Sequence, residues 1–403
     1  MTSDTGTAGI FASRLRIITD IIGAYNGEIP LHRFLKSYFS KHRNFGSSDR
    51  RLYAAFVHGY FRIGRALPSH DLNIRLAAAA FLAIENESSF KTFLLENFLG
   101  AASLQLQQTT PAQRLQWIAD KFTDFDVKDM VPAGGALDDG LTHEQRALQL
   151  LELPPVWIRI REGHISQVVE ECKRKNIEIK FDERDGHALG FRAGTSLTEW
   201  ESFKKGAFEI QDLSSQMAGD HIPASGGEEW WDCCCGAGGK SLQLLDKYPV
   251  IKITATDIRT SVLENFRERL QRNRLFAEKV FSLDVNQPVT GDFAGRKFDG
   301  IIADVPCSGS GTWNRTPEQL VFFDPLQLRS FQERQTGILE NVWPLLKSGG
   351  TLVYITCSIY MAENEDVIEK FCNSTHAVQV SMQSVSGAGR AADTLFVATL
   401  KKP

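Results

Sequence analysis

"WDCCCGAGGKS", residues 231–241, decides how the C-terminal half of this chain folds. Its end, Gly239-Lys240-Ser241, matches the close of a phosphate-binding P-loop. That loop requires Gly-x-x-x-x-Gly-Lys-Ser/Thr, and the first glycine position holds Cys234. The P-loop reading therefore fails. What remains is an apolar strand ending in Asp232, a Gly-rich turn, and a helix opening near Lys240. Such a turn directs backbone N–H groups and a helix N-terminus at a ligand. The next apolar run, "IKITATD", closes on Asp257, and an acid at this separation accepts hydrogen bonds from ribose hydroxyls. The pattern points to a nucleoside cofactor without requiring a triphosphate. NAD and S-adenosylmethionine both satisfy it. Cys233, Cys234 and Cys235 read as small side chains suited to a crowded turn. The seven cysteines show no paired Cys-x-x-Cys spacing, so no metal site is expected.

Outward from this loop the chain alternates strand and helix. The runs "EEWWDCC", "IKITATD", "FDGIIADV" and "GTLVYITC" are short, apolar and closed by polar residues. Alternation of this kind predicts an α/β, Rossmann-like, mostly parallel sheet with its site at the carboxyl ends of the strands. Residues 205–403 form this expected domain. Upstream, "PPVWIRI", "EIKFD" and "ALGFRA" read as strands around the amphipathic helix "ISQVVEECKRKN", a small α+β subdomain over 141–204. Residues 1–135 read as all-α: Leu15, Ile18, Ile22 and Tyr25 recur at helical spacing, and "IRLAAAAFLAI" and "KTFLLENFLGAASLQLQ" are helix-forming runs. "VPAGGALDDG" at 131–140 reads as a linker.

Composition narrows the class of protein. Of 403 residues 42% are apolar and 23% charged, ordinary for globular domains. No run approaches the ~18 apolar residues of a membrane span, and the first residues lack an apolar signal core. A soluble, cytoplasmic protein without a membrane partner is expected. The net charge of −4 argues against broad nucleic-acid affinity, yet Arg33 to Arg65 carries eight Lys/Arg and one Asp, interleaved with aromatics. That stretch reads either as a phosphate-tracking surface or as a helix pair with a solvated basic face.

Two later stretches carry the chemistry: "DVPCSGSGTWNRTPE" at 304–318 and "TCS" at 356–358, the latter followed by "IYMAENEDVIEKF". Each puts a cysteine just past a sheet strand. Together with the loop at 232–240 and the lead-in "FEIQDLSSQMAG" at 208–219, they resemble the NOL/NOP/Sun (Fmu-type) family of RNA cytosine-5 methyltransferases. The order and spacing of the motifs match over at least residues 205–403. The helical region, with "GSSDRRLYAAFVHGYFRIG", resembles the NusB-like domain of that family's bacterial small-subunit ribosomal RNA branch.

The resemblance implies a methyl transfer from S-adenosylmethionine to cytosine carbon-5 in RNA, most naturally small-subunit ribosomal RNA, by a monomeric enzyme. Carbon-5 is a poor nucleophile until a thiolate adds to carbon-6. The resemblance gives Cys357 that role and gives Cys307 assistance in product release. It places Asp304 at the cytosine's ring nitrogen and exocyclic amine, with Lys240 beside it. Backbone groups from Cys234, Cys235, Gly236, Ala237, Gly238 and Gly239 would hold the methionine moiety, with Lys240 and Asp304 at its methyl end. Asp257 would bind ribose and Asp284 would lie beside adenine. A free thiol is mostly protonated at neutral pH, so Cys357 needs an activator. A helix N-terminus following Ser358 is one candidate. An arginine common in the family five residues after the ribose acid is Val262 here, with Arg259 nearby. The competing readings are a transfer RNA cytosine-5 methyltransferase, a DNA cytosine methyltransferase and a non-catalytic NusB-like RNA-binding protein.

Overall fold

The computed structural model describes residues 4–132, 137 and 140–403. The expected linker at 131–140 lies for the most part outside the described residues. The chain divides into two compact units. One holds the chain up to residue 132 together with Leu141–Leu153 and Trp313–Pro325; the other holds Pro154–Thr312 and Leu326–Pro403.

The first unit is helical: α1 (Asp4–Ala24), α2 (Leu31–Lys41), α3 (Ser47–Arg62), α4 (Leu72–Ala83), α5 (Pro111–Lys121) and α6 (His143–Leu151), with shorter turns between. Its core is aromatic-rich, with Tyr25, Tyr53, Phe56, Phe61, Phe81 and Phe90 all buried. Each such side chain contributes about 1.5–3 kcal/mol by leaving water. The run "KTFLLENFLGAASLQLQ" is not one helix. It breaks at Gly100, whose φ of 86° is left-handed.

Two segments fall differently from the expected boundaries at 141 and 204–205. Helix α6 packs on the helical unit through Ala147 and Leu151, and the buried Arg62 guanidinium donates to the Leu150 and Glu152 carbonyls. Trp313–Pro325 also belongs to this unit. Phe322 lies edge-on to Tyr25 with centroids 5.2 Å apart, and the buried Glu318 carboxylate accepts the Leu31 N–H at 3.1 Å. Arg65 donates to the carbonyls of Val321 and Phe323.

The second unit contains two sheets. A small antiparallel sheet of order β2-β3-β1-β4 is built from β1 (Val156–Ile160), β2 (Phe181–Glu183), β3 (Ala188–Phe191) and β4 (Phe208–Ile210), with α7 (Ile165–Arg174) between β1 and β2. After α8 (Leu213–Asp220) comes the main fold. Its strands are β5 (Glu229–Asp232), β6 (Lys252–Asp257), β7 (Lys279–Ser282), β8 (Phe298–Asp304) and β9 (Leu346–Thr356). Between them run α9 (Gly239–Lys247), α10 (Thr260–Asn273) and α11 (Gln327–Val342); α12 (Glu365–Thr375) follows β9. The hairpin β10 (Val378–Ser386) and β11 (Thr394–Lys401) completes a seven-stranded sheet of order β10-β11-β9-β8-β5-β6-β7.

Strands β5 to β9 pair in parallel, while β10 and β11 run antiparallel. The order reverses direction at β5, so a crevice opens at the carboxyl ends of β5, β6 and β8. Helix α9 is fixed from beneath: the Asp246 carboxylate takes Arg159 at 2.7 Å and Arg161 at 2.6 Å, both from the small sheet's side. No helix among the described residues is long and apolar enough to cross a membrane.

Candidate active site

The Gly-rich turn begins where β5 ends. Asp232 is buried; its Oδ2 accepts from the Ser241 hydroxyl at 2.6 Å, and its Oδ1 has no partner. Burial pushes this carboxyl up to about 7 against the opposing pull of Ser241. The turn is stitched to the sheet by Cys233 N–H to the Ile302 carbonyl and by Cys235 N–H to the Thr256 carbonyl. Gly238 caps α9 at φ 81°, and a Cβ there would lie 2.0 Å from the Phe266 ring. Only glycine fits both the left-handed backbone and the close approach.

Asp257, at the end of β6, accepts from Gly236 N–H at 3.0 Å and from Arg259 through its backbone N–H, Nε and Nη2. Burial raises this carboxyl, but the hydrogen bonds from Arg259 and Gly236 outweigh it and hold it below the usual range. Arg259 thus bonds the acid that the sequence marks as a ribose partner. Five residues after Asp257, where the resembled family often carries arginine, stands Val262, and Arg259 makes the contact with Asp257.

Asp304 closes β8. The Lys240 ammonium, itself buried, lies 3.6 Å from its Oδ2 and donates to the Ser215 hydroxyl at 2.7 Å. Strands β8 and β9 pair in parallel with Asp304 opposite Ile355. That register brings the loops after both strands together. The sulfurs of Cys307 and Cys357 lie 3.3 Å apart, both as free thiols, and Cys357 N–H donates to the Cys307 sulfur at 3.4 Å. The hydrogen bond to Cys307, then burial, then the charges of Cys307, Asp304 and Asp393 hold the Cys357 thiol well above its ordinary range. A 3-10 turn, Met361–Glu363, follows Ser358, and beside it the Cys357 thiol is raised rather than lowered. Helix α12 begins only at Glu365, and its first turn carries Glu365 and Asp366.

A cavity of about 580 Å³ joins these parts. Of the residues singled out in the sequence, Cys234, Cys235, Gly236, Ala237, Gly239, Lys240, Asp257, Asp284, Asp304, Cys307 and Cys357 all line it; Gly238 does not, since it faces Phe266. Asp284 holds the Asn286 amide at 2.6 Å beside the apolar Ile258, Val285 and Ile338. Cys233 and Cys235 are buried with thiols pushed far up, Cys233 by its hydrogen bond to Cys234 and by burial and Cys235 by burial, which makes them inert. Among the described residues, no His/Cys/Asp/Glu cluster is placed to hold a metal ion. Sequence reasoning missed Ser215, Gln335 and the serines beside the cysteines; no periodic signal marks them, and only the fold brings them here.

A doubly wound sheet with a Gly-rich turn after β5, an acid after β6, and an acid and two cysteines after β8 and β9 defines a Rossmann-like methyltransferase fold. Residues 222–396 match the model of the family described as 16S rRNA methyltransferase RsmB/F. The chain is 32% identical over 241 residues to the ribosomal RNA small subunit methyltransferase B of Yersinia enterocolitica, covering 59% of this chain and 56% of that protein. It is 33% identical over 227 residues to the protein of the same name from Shewanella oneidensis, covering 56% and 52%. The chain spans about half the length of the curated relatives it matches. In fold it is similar to the crystal structure of PH0851, with a TM-score of 0.69 at 19% identity over 96% of this chain and 98% of that one. It is also similar to NSun6 from Pyrococcus horikoshii solved with SFG, with a TM-score of 0.55 at 17% identity over 65% and 95%.

Proposed function

We propose that this protein transfers a methyl group from S-adenosylmethionine to carbon-5 of a cytosine in small-subunit ribosomal RNA, through a covalent bond between Cys357 and carbon-6. The observation that carries this reading is the 3.3 Å approach of two free thiols in a cavity that the Gly-rich turn and the acid after β6 also line. The names of the relatives supply the substrate class; a cytoplasmic setting among RNA follows from it.

The residues present fit the cofactor. An acid after β6 suits a vicinal diol, and apolar Ile258, Val285 and Ile338 around Asp284 suit a flat heterocycle with an amino group. S-adenosylmethionine, when bound, supplies an electrophilic methyl on a sulfonium. Everything else falls to the protein. The Cys357 thiol passes its proton to water as its sulfur bonds to carbon-6; carbon-5, now enamine-like, takes the methyl, and the methyl–sulfonium bond breaks to leave a neutral thioether. Water then takes the carbon-5 proton, the bond between carbon-6 and sulfur breaks, and Cys357 is released as thiolate. Cys307 assists that last step from 3.3 Å. Asp304 holds the base by its ring nitrogen and amine, and Lys240 offsets the carboxylate's charge from 3.6 Å.

The helical unit offers the RNA a basic face. Arg33, Lys36, Lys41, Arg43 and Arg51 are exposed on and around α2 and α3, while Arg50, Arg62 and Arg65 are engaged within the unit. Such a surface positions a phosphate backbone without reading bases. A second reading exchanges the cysteines' roles. It is favoured by the Cys357 N–H donating to the Cys307 sulfur, since an amide hydrogen bond stabilises a thiolate. Tritiated methyl transfer to ribosomal, transfer RNA and DNA substrates tests the proposal; incorporation into DNA alone, or into none, would overturn it.

A further inference from the structure

Beyond the short 3-10 turns Ser310–Thr312 and Met361–Glu363, the cysteine loops carry no regular structure, yet the sulfurs converge. The geometry points to Glu363 as the positioning residue that clamps the Cys307 and Cys357 loops into one site. This inference rests on the two-thiol reading above.

The Glu363 side chain is fully buried between the two loops. Its Oε1 accepts the backbone N–H of Ser308, next to Cys307, at 2.8 Å. Its Oε2 accepts the hydroxyl of Ser358, next to Cys357, at 2.5 Å. One carboxylate therefore bonds the neighbour of each sulfur. A third donor arrives from α11: Gln335 Nε2 reaches Glu363 Oε1 at 3.0 Å and the Pro306 carbonyl at 3.0 Å, so the other neighbour of Cys307 is held too. The clamp is itself anchored, because the buried Tyr354 hydroxyl of β9 donates to the Glu363 carbonyl at 2.6 Å.

The next residue completes the fixation. Asn364 accepts from the Thr356 hydroxyl at 2.6 Å and donates to the Ser358 carbonyl at 3.0 Å, straddling Cys357. Ser310 adds a cross-tie, accepting Ile359 N–H at 2.9 Å and lying 3.2 Å from the Ser358 hydroxyl. All three partners donate to the Glu363 carboxylate. An acceptor-only group suits that position, and a glutamine keeps all three contacts only if the Ser358 hydroxyl rotates to accept its amide. Glu363 touches neither sulfur, so its effect on chemistry is indirect.

The test uses the full chain and two independent readouts. Diamide oxidises a thiol pair, taking two electrons and two protons and leaving a disulfide; peptide mapping follows formation of the Cys307–Cys357 bond. Methyl transfer to ribosomal RNA gives kcat and KM. Glu363→Ala is expected to slow disulfide closure about tenfold or more and to lower kcat about a hundredfold, the effect of a misplacement on the order of 1 Å. KM for RNA and calorimetric S-adenosylmethionine binding are expected to stay near wild type. Glu363→Gln should fall between the two. If Glu363→Ala does not fold, Glu363→Gln and Ser358→Ala, each removing one arm, carry the same expectations in weaker form. Wild-type closure and kcat in the folded variants would overturn the clamp. Slowed closure in a protein whose wild type methylates no RNA would uphold the clamp and overturn the functional reading instead.

Discussion

Cys357 donates its backbone N–H to the sulfur of Cys307, and the two sulfurs stand 3.3 Å apart on loops that follow neighbouring parallel strands. The same contact that assembles the pair also disfavours ionisation of Cys357. The thiol at the centre of the proposed chemistry rests protonated, and the charge of Asp304 works in the same direction.

This gives a pH dependence. Alkylation of Cys357 by iodoacetamide should rise with pH through neutrality and above, since only the thiolate reacts. Cys307→Ala removes the largest cause of the upward shift, so its profile should move to lower pH. Mass spectrometry of the Cys357 peptide across a pH series measures both.

Asp232 affects stability in the same pH range. Its folded-state value of about 7 lies above the ordinary aspartate value, so the folded form favours the neutral acid. The stability associated with it is present at acid pH and is lost as pH rises toward 7. Asp232→Asn keeps the shape without the charge. Relative to wild type, the variant should gain up to about 4 kcal/mol in urea unfolding between about pH 4 and pH 7, from a shift of about three units. Equal pH profiles for the two proteins would contradict this.

Gly238→Ala places a methyl 2.0 Å from the Phe266 ring at a φ of 81°. The expected cost is about 2–4 kcal/mol, combining left-handed strain with overpacking. Phe266→Leu in the same chain should recover only the packing part. Thermal unfolding and S-adenosylmethionine calorimetry read the two effects.

Glu318→Ala leaves the Leu31 N–H without its buried acceptor. Loss of about 1–3 kcal/mol is expected, with earlier proteolytic cleavage of Trp313–Pro325 than in wild type. Unchanged cleavage would show that the Glu318 contact does not hold the segment.

Much of the C-terminal half's fold was legible in the sequence. "IKITATD" and "GTLVYITC" are apolar runs of strand length with polar ends, and they form β6 and β9. The motifs around Cys307 and Cys357 lie where alternating strands and helices put a site. Trp313–Pro325 was not legible as part of the helical unit. Its anchors are Phe322, in the four-residue helical turn Gln319–Phe322, and Glu318, the N-cap of that turn, which is too short to show periodicity. Helix α6 escaped for a related reason: a linker-like stretch precedes it, while its core contacts run through Ala147 and Leu151. The antiparallel close of the sheet by β10 and β11 followed from no alternation rule, since a hairpin needs no crossover helix. The Glu-Asn-Glu following Cys357 was visible as a pattern, but its grip on both loops exists only once β8 and β9 are in register.

The most direct measurement is covalent trapping. Wild type, Cys307→Ala, Cys357→Ala and the double variant are each incubated with S-adenosylmethionine and small-subunit ribosomal RNA, then separated by denaturing electrophoresis. A protein–RNA band that accumulates in Cys307→Ala, and is absent from Cys357→Ala and from the double variant, is the predicted result. A band that accumulates in Cys357→Ala while Cys307→Ala turns over normally would contradict the assignment of Cys357 as the nucleophile.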